Sequence, residues 1–320
     1  MINHHQINRY NFIRDAINGV STLIVLIAFL TMQISAYALP SGWQVESGHA
    51  SFDNSNPNVL KISSDDQTVI NFNSFNIAAN ETVNFLQSSN TNSLLSRVTG
   101  GGVSNIFGSL YANGTLFLIN PNGINFGAGS NVQVNNLIAS TLNMKTEDFL
   151  NHNYIFEHED GSPYSEIRNS GTIQANNLAL IASAVDNKGA IMATLGSVQL
   201  VSGNKATMSF DPKGLIEVVV NAETIEQATG IDGEKVQAAI TNSGTIDAMR
   251  IIMNAQIAGT VYENAINQTG VIKARHLIDE DGVIKIVSNK TVAVSGELDA
   301  MDARMKEEAA HSTPVVDIEA

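Results

Sequence analysis

The sequence predicts an all-β protein whose short strands wind into a β-solenoid. Apolar-polar alternations recur about every eight to twelve residues between clusters of Asn, Ser, Asp and Gly, and helical periodicity is scarce. In the second half the pattern Gly-x-Ile/Leu-x-Ala occurs five times, and its last three glycines lie 26 residues apart. A repeat of fixed length is typical of stacked coils. A β-sandwich with similar turns is the alternative.

Composition and charge limit the possible function classes. A chain of 320 residues with 43% apolar residues is long enough to bury a core in one or two domains. The formal charge of -14 argues against a nucleic-acid partner, because binding the phosphate backbone requires a basic surface. The chain has no cysteine, which excludes disulfides and thiol chemistry.

Residues 1–38 have the three parts of a secretory signal peptide with an extended n-region. Two arginines precede an apolar run over residues 20–34, and Ala36 and Ala38 form a small-x-small cleavage site. The run is short for a membrane span of about 20 residues, although an uncleaved anchor is the alternative. We therefore expect export through the Sec translocon.

Short strands are predicted along the segment Pro40–Thr99. Two examples are Val69–Phe72 and Phe75–Ile77, in which apolar and polar residues alternate. Trp43 is expected to open this region as part of an N-terminal cap over the first coil. Gly100–Gly102 is predicted as a turn, because it lacks the Lys-Ser/Thr pair of a phosphate-binding loop.

The segment Asn113–Gly129 is predicted to form a strand, a turn and a second strand. Leu116–Ile119 is a continuous apolar run, which fits a strand buried on both faces. Pro121 presets φ for the second position of a type I turn, and Gly123 can adopt the positive φ that lets a strand restart. From Ile124 onward apolar and polar residues alternate again.

One helical turn and one loop are predicted next. Thr146–Leu150 is expected to be a short helix with Thr146 as its N-cap. The polar segment His152–Tyr164 carries His158–Gly161, whose His and carboxylates match no known metal-ligand spacing. A solvated loop without a metal is therefore predicted.

Each repeat is expected to contribute a glycine at a corner, an inward Ile or Leu and an inward Ala. The five repeats are Gly171–Ala175, Gly189–Ala193, Gly244–Ala248, Gly270–Ala274 and Gly296–Ala300. An asparagine stands two residues before three of these glycines, at Asn169, Asn187 and Asn242. Stacked coils would place these asparagines in a ladder of side-chain amides.

The rest of the second half contains a strand and two helix candidates. Leu215–Asn221 is predicted as a strong strand and Glu234–Ile240 as a helical excursion. The segment Leu298–Ala310 is rich in Ala, Met, Glu and Lys, and a helix there would cover the open edge of the last coil. Disorder is predicted after Ser312.

No catalytic constellation is predicted, and no cofactor or metal is expected. Ser202 and Lys205 have the Ser-x-x-Lys spacing of penicillin-recognising enzymes, but the accompanying motifs are missing. Asp279–Gly282 lacks the further ligands of a calcium loop. The alternative to a non-enzyme is a β-helical carbohydrate-active enzyme, a polysaccharide lyase or hydrolase, which would need clustered carboxylates beside Arg or Lys in one groove.

Five ordered blocks resemble the N-terminal secretion domain of the filamentous haemagglutinin family, found in two-partner secretion exoproteins. The most specific block is Phe117–Gly127, Phe-Leu-Ile-Asn-Pro-Asn-Gly-Ile-Asn-Phe-Gly. The other four are Val69–Ile77, Leu95–Gly101, Ile106–Gly114 and Leu137–Thr141. Two positions depart from the family pattern: Phe72 replaces the usual Trp, and Ser96 stands where Asn is frequent.

The resemblance implies a right-handed parallel β-helix with an N-terminal cap and short extra-helical strands. It implies a secretion domain over residues 39–203. The repeats predict further β-helix coils over 204–300, and the composition predicts a helical or disordered tail over 301–320. It also implies recognition by an outer-membrane transporter with periplasmic polypeptide-transport-associated (POTRA) domains. The residues expected at the recognition site are those of the turn and the start of the next strand, namely Asn120, Pro121, Asn122, Gly123 and Ile124.

We expect a secreted exoprotein that reaches the medium or the cell surface of a Gram-negative bacterium through the periplasm and outer membrane. An adhesin- or haemagglutinin-like role with a receptor on a host or neighbouring cell is the expected activity. A truncated remnant of a larger adhesin or contact-dependent toxin is an alternative. For the turn itself, a purely structural role is the alternative to recognition.

Overall fold

The computed structural model describes residues 39–275, 282–300 and 315–319, and in these ranges the chain forms 25 strands and one short helix. The elements of the first half are β1 (Gln44–Ser47), β2 (Ala50–Asn56), β3 (Val59–Ser64), β4 (Thr68–Phe72), β5 (Thr82–Gln87), β6 (Ser93–Val98), β7 (Ser104–Ile106), β8 (Ser109–Ile119), β9 (Ile124–Phe126), β10 (Asn131–Ser140), α1 (Thr146–Leu150) and β11 (Tyr154–Glu157). The later elements are β12 (Glu166–Asn169), β13 (Thr172–Ala182), β14 (Ala184–Asn187), β15 (Ala190–Ser202), β16 (Lys205–Phe210), β17 (Ile216–Ala222), β18 (Ala238–Asn242), β19 (Thr245–Ala255), β20 (Asn264–Gln268), β21 (Val271–Ala274), β22 (Val283–Ser288), β23 (Val292–Val294), β24 (Glu297–Asp299) and β25 (Val315–Glu319).

Two long sheets wind the chain into a parallel β-helix. The larger sheet has 15 strands, and its main path runs β1-β4-β6-β8-β10-β13-β15-β19-β21-β24. The second sheet has seven strands in the order β23-β20-β18-β14-β12-β9-β7. Within these two sheets only the N-terminal pairs β1–β4 and β2–β3 are antiparallel. Successive coils therefore stack in parallel register, and the predicted fold class is confirmed.

Equivalent side chains stack from coil to coil inside the helix. One buried position is aliphatic in six successive strands of the larger sheet, occupied by Leu110, Val132, Ile173, Ile191, Ile246 and Ile272. A second buried position is occupied by Leu116, Leu137, Leu178, Val198, Ile251 and Ile284. Fully burying each such side chain contributes about 1.5–3 kcal/mol, so these stacks stabilise the helix along its length.

The five repeat glycines lie in register at one corner of the helix. A Cβ atom on Gly244 would lie only 2.1 Å from the carbonyl oxygen of Gly189, and the same clash recurs between Gly270 and Gly244. Coils stack about 4.8 Å apart, which leaves no room for a side chain at this corner. The predicted corner role of these glycines is confirmed.

A buried ladder of amides runs beside the glycine corner. Asn169 Nδ2 donates to Asn187 Oδ1 (2.8 Å), and Asn187 Nδ2 donates to Asn242 Oδ1 (2.7 Å). Asn242 Nδ2 in turn donates to Gln268 Oε1 (2.7 Å), and all four side chains are fully buried. The predicted asparagine ladder is confirmed, and Gln268 extends it by one coil.

An outer layer covers part of the larger sheet. Strands β11, β16 and β17 form a separate antiparallel sheet, which together with α1 buries a second apolar cluster. Phe117 lies at its centre, with its ring centroid 5.0 Å from that of Tyr154 and 5.4 Å from that of Phe149. Leu116 faces the helix interior on the same strand, so this strand is buried on both faces, as predicted.

Three predictions are contradicted by the structure of the outer layer. The segment His152–Tyr164 is not a continuous loop, because it contains β11, whose apolar residues pack on the larger sheet. Residues 204–222 do not form a coil, because β16 and β17 pair with each other outside the helix. Thr146 does not cap α1, since its hydroxyl instead donates to Glu46 Oε1 (2.5 Å).

Three further predictions in the second half are wrong in whole or in part. Glu234–Ile240 contains bends, an isolated β-bridge at Lys235 and the start of β18, because Ala238–Ile240 pairs within the seven-stranded sheet. Leu298 belongs to β24, while residues 301–310 of the predicted helix lie outside the described residues. The prediction of disorder after Ser312 is wrong for Val315–Glu319, because these residues form a strand that pairs with β22. An ion pair accompanies this pairing, with Lys285 Nζ 3.3 Å from Glu319 Oε1.

The N-terminal segment closes the first coil as a cap. Strand β1 runs antiparallel to β4, β2 and β3 form a hairpin, and Trp43 stacks on Phe52 with ring centroids 4.8 Å apart. This agrees with the predicted position of Trp43. Among the described residues there is no helix long and apolar enough to cross a membrane.

Candidate functional site

The turn between β8 and β9 is closed by its own asparagine. Asn120 Oδ1 accepts a hydrogen bond from the backbone N–H of Asn122 (3.0 Å), and the N–H of Gly123 donates to the carbonyl oxygen of Asn120 (3.1 Å). Gly123 has φ +112, a conformation that residues with a Cβ rarely adopt. The predicted turn and the positive φ of Gly123 are both confirmed.

Both asparagine side chains tie the turn to the preceding coil. Asn120 Nδ2 donates to the carbonyl oxygen of Gly102 (2.9 Å) and to Ser104 Oγ (2.9 Å). Asn122 Nδ2 donates to the carbonyl oxygen of Gly100 (2.9 Å). The turn therefore acts as a clasp on the glycine turn before β7, and its polar groups are satisfied inside the folded protein.

The five residues predicted to form the recognition site lie together, but they differ in exposure. Asn120, Gly123 and Ile124 are buried, whereas Pro121 and Asn122 are half-buried. A partner that meets the folded helix can therefore reach only the side chains of Pro121 and Asn122 within this set.

A loop from the second half packs against the turn. We call residues 228–236 the covering loop. Its Ile231 side chain lies against Gly123, since a Cβ atom built on Gly123 would be 3.3 Å from Ile231 Cδ1. The N–H of Ile231 donates to Glu166 Oε2 (2.8 Å). The sequence showed this segment only as a polar stretch, and nothing in it distinguished Ile231 as an anchor.

A cluster of charges fixes the covering loop to the seven-stranded sheet. Arg168 Nη2 lies 3.0 Å from both Glu166 Oε2 and Asp232 Oδ2, and Arg168 Nε lies 3.5 Å from Asp186 Oδ2. Glu166 is only 1% exposed, and this burial raises the pKa of its carboxyl group. The hydrogen bond from Arg168 lowers the pKa of Asp232.

The alternative hypothesis of a carbohydrate-active enzyme requires carboxylates beside Arg or Lys in one groove, and this cluster has that composition. Its carboxylates are nevertheless engaged, because Glu166, Asp186 and Asp232 all pair with Arg168. Glu166 lines the adjoining cleft of about 220 Å³, but its side chain is almost fully buried. In the part of the chain that the structure describes, no three His, Asp or Glu side chains are placed to hold a metal ion. The geometry is that of a clasp between chain segments.

The predicted cleavage residues Ala36 and Ala38 lie outside the described residues. The predicted signal peptide, residues 1–38, lies there as well.

A family model, curated relatives and solved structures each match most of this chain. Residues 36–300 match the family model of the TPS secretion domain, where TPS stands for two-partner secretion. The chain is 29% identical over 247 residues to a heme/hemopexin-binding protein of Haemophilus influenzae, an alignment that covers 74% of this chain and 26% of that protein. A second heme/hemopexin-binding protein from Haemophilus influenzae is 25% identical over 254 residues, covering 72% of this chain and 26% of that protein.

The chain thus spans about a quarter of the length of the curated relatives it matches. Among solved structures, it resembles the HMW1 secretion domain from Haemophilus influenzae with a TM-score of 0.61 and 27% sequence identity, covering 81% of this chain and 72% of that one. The family match includes the cap, the turn clasp and the covering loop. This chain belongs to the family of TPS secretion domains.

Proposed function

We propose that this chain is the secretion segment of a two-partner exoprotein and that an outer-membrane transporter recognises it at Asn120–Ile124 during export. The observation that carries the proposal is the family match over residues 36–300, which includes the turn. The turn is also the place where a short motif ties three chain segments together: β8, the Gly100–Gly102 turn and the covering loop.

The burial of the turn supports recognition of the chain before it has folded completely. Both hydrogens of the Asn120 amide are used inside the folded protein, and only Pro121 and Asn122 remain partly accessible. The transporter therefore meets the turn before the coil has closed over it. At that stage β8 and β9 have free edges, and a POTRA domain can add a strand to them.

The remaining steps of the proposed route follow from the signal peptide. The chain enters the periplasm through the Sec translocon, is cleaved after Ala38 and leaves through the transporter as a secreted or cell-surface protein. After export we propose a non-enzymatic, adhesin-like role at a host or neighbouring cell. The names of the curated relatives make haem or haemopexin the alternative ligand.

Secretion of the epitope-tagged chain, with and without the transporter, tests this proposal. Asn122→Ala removes a half-buried contact, whereas Asn120→Ala also removes buried hydrogen bonds and weakens the fold. The informative variant is therefore Asn122→Ala, and Asn176→Ala, in the exposed amide pair Asn135–Asn176, is its matched control.

We expect release that requires the transporter, a clear reduction for Asn122→Ala with the periplasmic pool intact, and no change for the control. Equal release of Asn122→Ala and the parent chain would leave the turn with a structural role only. Retention in the periplasm with and without the transporter would overturn the export function itself.

A further inference from the structure

We propose that the covering loop is a latch that closes over the turn once the second half of the chain has folded, and that closure ends the access of the transporter to the turn. This inference rests on the proposed function. It adds a regulatory element at the same site, carried by a segment of the chain that lies outside the turn motif.

The tip of the covering loop contacts residues that precede the loop in the sequence. Ile231 fills the space beside Gly123 that the missing side chain leaves, and its N–H binds the buried Glu166 carboxylate. Asp232 pairs with Arg168, which also holds Glu166. One apolar contact, one charge-assisted hydrogen bond and one ion pair thus meet at the tip. Hydrogen bonds to a charged, water-excluded partner are among the stronger ones in proteins.

The base of the covering loop is held by both an earlier and a later part of the chain, since the N–H of Thr229 donates to the carbonyl oxygen of Tyr164 (2.9 Å) and Ala228 contacts Tyr262. The N–H of Ala228, a fully buried residue, donates to the hydroxyl oxygen of Tyr262 (3.0 Å). That hydroxyl donates to the carbonyl oxygen of Ser183 (2.8 Å). The N–H of Val236 returns to the carbonyl oxygen of Ala228 (3.2 Å) and closes the loop. Of these contacts, Tyr262 is the one that follows the covering loop in the chain, and it precedes β20.

The covering loop is shaped before it docks, because it makes its own hydrogen bonds. The N–H of Gly230 donates to the carbonyl oxygen of Glu234 (2.7 Å), and the N–H of Gly233 donates to that of Gly230 (2.9 Å). Gly233 adopts φ +85, as a tight turn of this kind requires. A loop that is already compact can dock and undock as a unit with little further ordering.

The order of these segments along the chain gives the latch its timing. The turn, Glu166 and Arg168 all precede the covering loop, and Tyr262 follows it. A chain that crosses a membrane as an extended polypeptide, N-terminus first, exposes the turn to the transporter well before the covering loop has crossed. The turn consequently stays open while the second half is in transit, and it is covered when Tyr262 has taken its place.

Hydrogen exchange of the purified chain tests the latch without any transporter. The test variant combines Ile231→Ser with Asp232→Asn, and the control combines Ile225→Ser with Glu226→Gln, a change of the same kind at exposed positions of the same segment. We expect about tenfold faster exchange in peptides covering Pro121–Ile124 for the test variant, equivalent to losing one hydrogen bond to a charged group. The control and strand β19 should keep the parent rate.

Capture on the immobilised periplasmic region of the transporter tests the coupling to export. Urea-unfolded parent chain, diluted onto the surface, is the positive control, and the folded parent chain is the reference. We expect folded test variant to be captured more strongly than folded parent chain, with Asp232→Asn alone giving an intermediate result. The folded control variant should behave as the parent chain does.

The outcomes separate the latch from the proposed function. Unchanged exchange at the turn in the test variant would overturn the latch. Faster exchange without stronger capture, while unfolded parent chain is captured, would also overturn it and leave the proposed function standing. If unfolded parent chain is not captured either, the proposed function fails and the latch fails with it.

Discussion

At the scale of single residues, buried amides define the corner of this helix. Asn187 donates to Asn242 and accepts from Asn169, and all three side chains are fully buried. A buried polar group that keeps its partners contributes modestly to stability, whereas one that loses its partner is costly. The ladder therefore selects one register of stacking over its neighbours.

Replacing Asn187 by Ala should lower the free energy of unfolding by about 2–4 kcal/mol, because it leaves one donor of Asn169 and one acceptor of Asn242 buried without a partner. Asn176→Ala removes an exposed amide contact with Asn135 and should cost less than about 1 kcal/mol. Urea unfolding of both variants measures the difference. Equal losses would mean that the ladder contributes no more than a surface contact.

The glycine corner leads to a second prediction at this scale. Gly244→Ala places a Cβ atom 2.1 Å from the carbonyl oxygen of Gly189, so two coils must move apart. Overpacking of this kind typically costs about 1–3 kcal/mol. Gly101→Ala is the matched control, because a Cβ atom there meets nothing within 4 Å. Thermal unfolding should show a lower midpoint for the first variant only, because Gly→Ala without a clash does not destabilise and can stabilise through the unfolded chain. An equally lowered midpoint for both variants would mean that the clash at the corner is not the cause.

The sequence alone predicted a residue's role where only one residue type fits the position. Gly244 and Asn187 were predictable because a repeat places them at the same corner, where only a glycine or a ladder-forming amide fits. Thr146 was misread, because its use depends on Glu46, which is distant in sequence. Ile231 was missed, because nothing local distinguishes an apolar anchor from an isolated exposed residue.

At the scale of elements, the N-terminal cap is tied to the first coils and to α1 through one carboxylate. Glu46 on β1 accepts hydrogen bonds from Thr146 Oγ1 (2.5 Å) and Asn71 Nδ2 (2.7 Å), and it pairs with Arg97 at 3.1 Å. Arg97 Nη2 also donates to the carbonyl oxygen of Met144 (2.7 Å). Three elements, β4, β6 and α1, thus converge on a single acidic side chain of β1.

These contacts predict that the cap loosens in acid. The hydrogen bond from Thr146, with those from Asn71 and Arg97, lowers the pKa of Glu46 below the ordinary value of a glutamate. A lowered pKa in the folded state contributes stability that is present above the unfolded pKa and is lost as the pH falls through the folded pKa. Trp43 is the only tryptophan of the chain and stacks on Phe52 in the cap. Its fluorescence should therefore shift reversibly as the pH falls below the usual glutamate range.

The variant Glu46→Gln should weaken the cap at neutral pH and remove this acid step from the Trp43 signal. Glu297→Gln, at an exposed position of β24, serves as the control and should retain the step. A parent-like acid step in Glu46→Gln would assign the transition to another group.

Elements were predictable where their apolar pattern was sufficient by itself. The coils follow from repeated glycines and inward aliphatic residues, which need no knowledge of distant contacts. Strand β11 was missed, because its residues Tyr154–Glu157 lie in a polar segment and become a strand only by pairing with β16. The failed helix at Glu234–Ile240 has the same origin, since pairing with β20 overrides a weak local preference.

At the scale of the whole molecule, two apolar clusters share one sheet. The first fills the interior of the helix, and the second lies between the larger sheet and the outer layer of α1, β11, β16 and β17. The resemblance and the repeat predicted the first cluster. The second was signalled only by the continuous run Leu116–Ile119, which indicated burial on both faces but not what would cover the outer one.

Adjacent residues of β8 separate the contributions of the two clusters. Leu116 and Phe117 are both fully buried but point to opposite faces of the sheet, the first into the helix and the second against Tyr154 and Phe149. Leu116→Ala should cost about 2–5 kcal/mol and Phe117→Ala about 3–5 kcal/mol in the free energy of unfolding. Their local effects should differ more than these totals, because each variant opens a different cluster.

Hydrogen exchange measures that local difference. Phe117→Ala should accelerate exchange in the outer strands β11, β16 and β17, because it removes the ring on which Tyr154 and Phe149 pack, while the inner coils keep most of their protection. Leu116→Ala should do the reverse and weaken β8 and its neighbours β6 and β10 first, because coils contact only their nearest neighbours. If both variants accelerate all strands equally, the helix and its outer layer unfold as one cooperative unit, and the outer layer cannot open while the coils stay closed.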